Sequence, residues 1–591
     1  MVDSVERGRG TYGVVFNHKH HVHGDVVIKR FIYPRDNDEG IARTTLRELN
    51  ALANMESEFI IDMLACDVTA AVLPRRLCSL HDAILQKCTA INPLGVLKCM
   101  YHALAHMHGR GYIHRDIKPG NILVKSNDNE GNVIVQLADF GTAAMSSFAR
   151  SVPLSTDNKY DTHPITEHPL IARHHTLGVC TLNYCAPEAL LGSKYTHAVD
   201  YWALGLVLLS VIERREAACD GLLTEYGQLM IIFQKYTGSP KFTWRLAAEV
   251  EMNMRTRQGF IDKRLPYMST MFPIWRPPKI AMDGVDLRVA YCIRSLLVLD
   301  PLDRRLMLPC SVGGEMLLDG KLNARTEHDL GYPLSDSFQV LPSDRVLLSW
   351  SWIPTIDDGR TRMIAQVFAC CKSIQHYERP TAHCAAWMLN ALWERCEIQH
   401  MPSAKIAHII VAALFVSSKL HEMDWITLDD MIDITEPSFG IFVDRVSLNK
   451  LTVLSEEATM CAVLNYRLSC PLVALAYDDH AGSLTRLCVD SLPFVPLPCI
   501  NCYNHHWRIN EVREIIGQVM GDRCLYARSS LPILHDTTRH FSLIRTLMHM
   551  MRLEECKTEN EKTPREVRKR HRHSTRSKKK KCTRTGVSGI V

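Results

Sequence analysis

The string that most constrains this chain is His114-Arg115-Asp116-Ile117-Lys118-Pro119-Gly120-Asn121, which runs directly into an apolar strand, Ile122-Leu123-Val124. It sets a carboxylate five residues before an amide, with a lysine between them. Such a trio suits phosphoryl transfer. The Asp116 carboxylate can orient an acceptor hydroxyl and take its proton. Lys118 can neutralise the moving γ-phosphoryl, and the Asn121 amide can hold a magnesium ion.

The other parts of such a site follow in order. In Gly8-Arg9-Gly10-Thr11-Tyr12-Gly13-Val14-Val15, the glycines Gly8, Gly10 and Gly13 let a hairpin backbone close over phosphates, with Val15 in the same nucleotide-binding set. Val26-Val27-Ile28-Lys29 is a β-rich run ending in a lysine. Thr44-Thr45-Leu46-Arg47-Glu48-Leu49 reads as helix, and its Glu48 can pair with Lys29 to hold that lysine on the α- and β-phosphates of ATP. Asp139-Phe140-Gly141 adds a carboxylate that bridges metal to phosphate, so Asn121 and Asp139 are the expected metal ligands. Ala186-Pro187-Glu188 closes the segment, and Asp200 and Arg304 fit buried charges that brace a lower lobe. One tripeptide is weak; all of them in this order are not chance.

That order resembles the eukaryotic protein kinases over about residues 1–320. Within them the chain is most similar to the cyclin-dependent kinases, through residues 8–15, the run Ala42–Glu48, Leu190–Tyr195 and Ala198–Trp202. The resemblance implies ATP and Mg as cofactors and protein substrates. From Lys118 with Thr181 it implies serine/threonine specificity. It also implies inhibitory phosphorylation at Thr11 and Tyr12, where added charge would crowd the ATP phosphates. An activating phosphothreonine falls at Thr176, and with it a separate activating kinase. A phosphate there needs guanidinium partners, and Arg47 and Arg115 hold two of the three family positions, with Ala144 at the third. Two departures stand out. Asp139 to Glu188 spans 49 positions, which places an insertion at roughly 146–170, expected as a mobile loop. Asn183-Tyr184-Cys185 replaces the family's Trp-Tyr-Arg, whose arginine shapes the pocket that selects proline, so proline-directed specificity is not implied.

Beyond 320 the pattern changes. Residues 321–345 read as a linker. His383–Leu389 lies in one helix, and Lys405–Lys419 is apolar nearly all round, as for a central helix enclosed by others. Arg362, Thr381-Ala382-His383, Ala412–Glu422, Glu457 and Leu464–Pro471 resemble the cyclin box in order, over 346–471. The resemblance implies that Lys405 and Asp430 form the kinase-contacting pair. It also puts Asn390 where an aspartate usually braces the arginine corresponding to Arg362. In that family the box packs on the kinase helix bearing the glutamate and pushes Glu48 toward Lys29. Here the contact would be intramolecular or domain-swapped. Residues 472–555 read as a degenerate second repeat.

Bulk numbers fit this division. At 591 residues, two to about four domains are expected. The formal charge of +5 hides a tail, Lys557–Val591, with thirteen Lys/Arg and three Asp/Glu. Residues 556–591 are therefore expected to be disordered, serving nuclear import, with a cytoplasmic share open and nucleic-acid contact only through this tail. The longest apolar run, Ile409–Val416, falls short of the ~20 residues of a membrane span, and no signal segment opens the chain. Its twenty-one cysteines are expected to be mostly reduced thiols. Cys499 and Cys502 with His505 and His506 could bind zinc, but no second Cys pair follows at finger spacing, so a zinc site is not expected; the cluster His18, His20, His21 and His23 reads as a solvated turn.

The expected architecture is multidomain: a bilobal α+β protein kinase fold at 1–320, then an all-α cyclin fold, then a disordered basic tail. The expected function is a kinase activated by its own cyclin box. The alternative is a pseudokinase scaffold or transcription adaptor, which would be free to lose Lys29, Glu48, Asp116, Asn121 and Asp139.

Overall fold

A computed structural model describes residues 5–9, 13–33, 39–88, 90–127, 133–145, 180–190, 195–215, 225–237, 284–301, 303–304, 306, 359–374, 379–396, 398–421, 426–441 and 447–469. Gly10, Thr11, Tyr12, Thr176, the 146–170 insertion, the 321–345 linker, the 472–555 segment with its Cys/His cluster, and the basic tail lie outside these residues.

The N-terminal lobe is an antiparallel five-stranded sheet in the order β1 (Val5–Arg9), β2 (Gly13–His20), β3 (Gly24–Phe31), β5 (Ala70–Pro74), β4 (Ala65–Cys66). The β2–β3 ladder runs from Gly13 opposite Phe31 to His20 opposite Gly24, which places Val15 directly opposite Lys29. Gly8 pairs with Val15 from the other side. The histidine cluster lies at the β2–β3 turn: His18 and His20 end β2, His21 and His23 are in the turn, His20 Nδ1 accepts from the Val22 and His23 amides, and Gly24 opens β3 at φ +70°. Helix α1 (Arg43–Ala53) buries Leu46, Leu49 and Leu52 at the spacing of one helix face.

The second lobe is mainly helical, with α3 (Pro93–His108) and α5 (Ala198–Glu213) at its centre. Asn92 caps α3, its Oδ1 accepting the Gly95 amide at 2.6 Å, with proline in the first helical position, where no amide is missed. Apolar nearly all round, α5 buries Trp202, Leu204, Leu206 and Leu208 completely. A three-stranded sheet, β6 (Cys78–Ser79), β8 (Ile122–Asn127) and β9 (Val133–Leu137), carries the string that opened the sequence analysis. Arg304 does not pair with Asp200. It makes a forked ion pair with Glu188, both side chains fully buried, while Asp200 faces the catalytic loop.

Five further helices are described in the C-terminal half: α8 (Gly359–Ser373), α9 (Arg379–Arg395), α10 (Ser403–His421), α11 (Leu428–Thr435) and α12 (Lys450–Val463). By length and composition α10 could cross a membrane, but the other four pack around it and Ala407–His421 are buried. Ala412 and Ala413, both fully buried, allow that close approach. One expectation is corrected here. The arginine held by Asn390 is Arg360, whose Nη1 donates to Asn390 Oδ1 at 2.6 Å, while Arg362 is exposed. Two residues along a helix is about 200°, so only one of the two can face the core.

Glu188→Gln strips the buried Arg304 of its counter-charge and is expected to cost about 3–5 kcal/mol, seen as a lower denaturation midpoint at unchanged slope. An unaltered midpoint would refute this bracing role.

Candidate active site

Strand β3 and helix α1 bring together the first pair. Lys29 Nζ donates to Glu48 Oε1 at 2.6 Å and Oε2 at 2.8 Å, and to Asp139 Oδ1 at 2.7 Å. Burial opposes the Lys29 charge, but the two carboxylates outweigh it and hold its pKa above the ordinary lysine value. Asp139 shows the converse: burial pushes up, Lys29 pulls harder, and the carboxyl stays ionised. Asp139 adopts φ +64°, a left-handed conformation that a non-glycine residue keeps only when its surroundings impose it.

The opening string forms the second group. Asp116 Oδ1 accepts from the Thr181 amide at 3.0 Å and hydroxyl at 2.6 Å. Asp116 Oδ2 accepts from Lys118 Nζ at 2.8 Å and Asn121 Nδ2 at 3.1 Å. Lys118 also donates to Thr181 Oγ1 at 2.8 Å, joining the expected specificity pair. Because Asn121 spends its amide nitrogen on Asp116, its Oδ1 is left for a cation, and Asp139 keeps its second carboxylate oxygen. Two hard oxygen donors are the set a magnesium ion needs beside phosphate and water.

Beneath this group, Asp200 accepts the His114 and Arg115 amides, each at 2.9 Å, and bonds His108 Nε2 at 2.8 Å. That grip holds Arg115 at φ +71°. Arg115 Nε donates to the Thr142 carbonyl at 2.7 Å, and Thr142 Oγ1 returns a bond to the His114 carbonyl. The two expected clamp residues, Arg47 and Arg115, both lie by Tyr195. Burial pushes that hydroxyl's pKa up, and the Arg115 hydrogen bond and Arg47 charge pull it back. Ala144, at the third clamp position, is buried in the short β10 (Ala144–Met145), which pairs with β7 (Tyr112–Ile113).

Helix α1 also meets the C-terminal helices, but not through the expected pair. Lys405 contacts Glu456 at 3.8 Å, and Asp430 accepts Thr427 Oγ1 in its own helix cap, where it is exposed. The lysine at the contact is Lys419, which donates to the Glu39 and Ile41 carbonyls at 2.6 and 3.0 Å and to Glu457 Oε1 at 2.7 Å. Glu457 Oε2 in turn accepts the Ile41 amide. Arg43 donates to the Lys419 carbonyl, and Arg47 to that of Leu420. At the other end of α1, Asn50 Nδ2 donates to Ser469 Oγ at 2.9 Å and to Tyr112 Oη at 3.1 Å, and its Oδ1 accepts the Leu468 and Ser469 amides. Gly40 makes this approach possible. At φ +69°, a β-carbon there would stand 2.0 Å from Glu457 Oε2. Sequence reasoning placed Lys419 and Glu457 in the box without giving either the contact, and did not single out Asn50.

Cysteine usage also departs in one place. Cys180 and Cys185 form a disulfide flanking Thr181, whereas ten other described cysteines are free thiols, as expected. Two residues that fold next to each other through a single 3-10 turn can pair in a chain otherwise full of isolated thiols.

A sheet lobe over a helical lobe, with an ion-paired lysine and an Asp–Lys–Asn loop between them, defines a bilobal protein kinase fold. Residues 2–265 match the protein kinase domain family, so the chain carries a protein kinase domain, which implies ATP as its phosphoryl donor. It is 29% identical over 312 residues to cell division control protein 2 homolog 2 of Trypanosoma brucei brucei, covering 50% of this chain and 76% of that one. To homolog 3 of the same organism it is 32% identical over 237 residues, covering 38% and 66%. The structure of the CAK complex of Chaetomium thermophilum bound to ATP-gamma-S is 23% identical, covers 51% of this chain and 85% of that one, and superposes with a TM-score of 0.38, too low to add to these.

Asp116→Asn replaces one accepting oxygen with a donating amide nitrogen, facing either Thr181 or Lys118 and Asn121, and is expected to lower phosphoryl transfer by about 10²–10⁴-fold. Gly40→Ala should raise hydrogen exchange along α1, since the left-handed backbone alone costs a side chain about 1–2 kcal/mol. Unchanged α1 protection would show that this close approach is not a real constraint.

Proposed function

We propose that the chain is a serine/threonine protein kinase that transfers the γ-phosphoryl of ATP, resembling a cyclin-dependent kinase, and that its own C-terminal helices act as the cyclin box that switches it on. The observation that carries this reading is the doubly held helix α1. Glu48 is presented to Lys29, while Lys419 and Glu457 hold Glu39 and Ile41 just ahead of the helix, Arg43 and Arg47 donate to the Lys419 and Leu420 carbonyls, and Asn50 binds Ser469, all within the same chain.

Asp116 would receive the proton of the acceptor hydroxyl, with Thr181 and Lys118 fixing its two oxygens. Lys118 stands 2.8 Å from both Asp116 Oδ2 and Thr181 Oγ1, so its charge is already in place for the transferred group. Asn121 Oδ1 and Asp139 would hold a magnesium ion, which would supply positive charge against the phosphates when bound. Lys29 would grip the α- and β-phosphates only while Glu48 keeps it from swinging onto Asp139 alone. With Cys185 where the family has arginine, selection of proline after the phosphorylated residue is not part of the proposal. Thr176 as a site for an activating kinase, control of cell division and nuclear import through the basic tail are further parts of it.

Covalent linkage raises the partner's effective concentration toward millimolar, so activation should not depend on dilution. The test is phosphoryl transfer from ATP to a generic protein substrate by dilute full-length chain, beside Asp139→Asn and Lys419→Met. We expect a rate per molecule independent of concentration and loss of activity in Asp139→Asn. Lys419→Met, which takes their shared donor from Glu457 Oε1 and the Glu39 and Ile41 carbonyls, should lose at least about tenfold. A rate that rises with concentration would move the contact into a dimer, and full activity in Lys419→Met would leave the helical half without an activating role.

A further inference from the structure

The segment between Cys180 and Cys185 holds the one threonine that reaches the catalytic aspartate. Thr181 bonds Asp116 through both its amide and its hydroxyl, and a single 3-10 turn, Leu182–Tyr184, follows before the second cysteine. The Cα atoms of the pair stand 5.6 Å apart, and the two sulfurs are bonded. Both cysteines, with Arg115, Asp116, Thr181 and Tyr195, line one small cleft. Arg115 is 5% exposed and its Nη2 has no hydrogen-bond partner among the described residues, and this guanidinium lines the same cleft as the two cysteines. A neighbouring guanidinium favours the thiolate, the reactive form. Cys180 is half-buried and accessible from the cleft, while Cys185 is buried behind it. That is the arrangement of an attacking and a resolving thiol.

The other described cysteines do not share these surroundings. Burial pushes the Cys66 and Cys370 thiols up to about 11 and Cys292 up to about 12, and Cys461 also lies well above the ordinary value. They stay protonated at neutral pH and have no sulfur partner.

We propose that Cys180 and Cys185 are a thiol-oxidation site, taking a hydroperoxide as oxidant, and that the resulting disulfide fastens Thr181 against the Asp116 carboxylate. The Cys180 thiolate attacks the terminal peroxide oxygen; the S–O bond forms, the O–O bond breaks to release alkoxide (hydroxide for hydrogen peroxide), which takes a proton from solvent, and a sulfenic acid is left. The Cys185 sulfur then attacks the Cys180 sulfur. The S–O bond breaks, the S–S bond forms, and a second water leaves with the thiol proton. Two electrons pass from the sulfurs to the peroxide, and a dithiol reductant returns them. The disulfide coexists with closed Lys29–Glu48 and Thr181–Asp116 contacts, so oxidation favours the competent arrangement. The effect on turnover rests on the kinase reading; the oxidation site itself does not.

The full-length chain is reduced with dithiothreitol, then titrated with hydrogen peroxide, and read in three ways: peptide mass mapping, amide exchange at Thr181, and kcat/KM for a protein substrate with ATP. We expect a Cys180–Cys185 crosslink, slower exchange at the Thr181 amide, and kcat/KM higher by roughly tenfold in the oxidised chain, as for a constrained short loop. Cys180→Ser, at the more accessible position, and Cys185→Ser should keep the reduced value and ignore peroxide. No crosslink, or a crosslink that leaves Thr181 exchange unchanged, overturns the proposal. A crosslink with slowed exchange but no phosphoryl transfer in either state supports the oxidation site and sinks the kinase reading instead.

Discussion

The Lys29–Glu48 ion pair is largely buried, and its burial makes it conditional. Two charges leave water to form it, a cost that their attraction repays only when the geometry is close and every donor is used. Here the lysine has three carboxylate oxygens within 2.8 Å, so the condition is met. Glu48, however, is delivered by a helix, and the helix could stand elsewhere. What fixes it is its packing against the C-terminal helices.

That packing is polar, which makes it selective. Lys419 is 2% exposed and burial pushes its pKa down, while burial pushes Glu457 up. Neither group tolerates solitude there. The carbonyls of Glu39 and Ile41 and the Ile41 amide satisfy them only if α1 enters at one depth and one angle. The network at Asn50, Tyr112 and Ser469 pins the other end and reaches strand β7, which leads into the catalytic loop. A hydrophobic face alone would accept several registers; buried donors and acceptors accept one.

Much of the site was readable before any coordinates. Lys29, Asp116, Lys118, Asn121 and Asp139 declare themselves because phosphoryl transfer needs those groups at close chain spacings, within strand–loop units that fold locally. The helical half was harder. Lys405 and Lys419 are about four turns apart on one helix, so they share a face, and periodicity cannot say which end meets the kinase lobe. Arg360 and Arg362 posed the opposite problem: they are too close in sequence to rank and face different ways. The Cys180–Cys185 pair could have been suspected from its spacing around Thr181, but a count of twenty-one cysteines drowned the signal.

By itself, the sequence determined the chemistry on offer: which groups can bind phosphate, take a proton or hold a cation, and that a sheet-and-helix lobe pair precedes an all-helical bundle. Those facts follow from residue type and short-range spacing, which the chain cannot conceal. Only the tertiary structure decided which lysine leaves water at the contact, that Gly40 gives Glu457 room, and that two thiols meet beside Asp116. The contact at α1 depends on pairs hundreds of residues apart, such as Asn50 with Ser469 or Ile41 with Glu457. Their partners are chosen by where buried charge can be satisfied, a condition that exists only once the whole surface has closed.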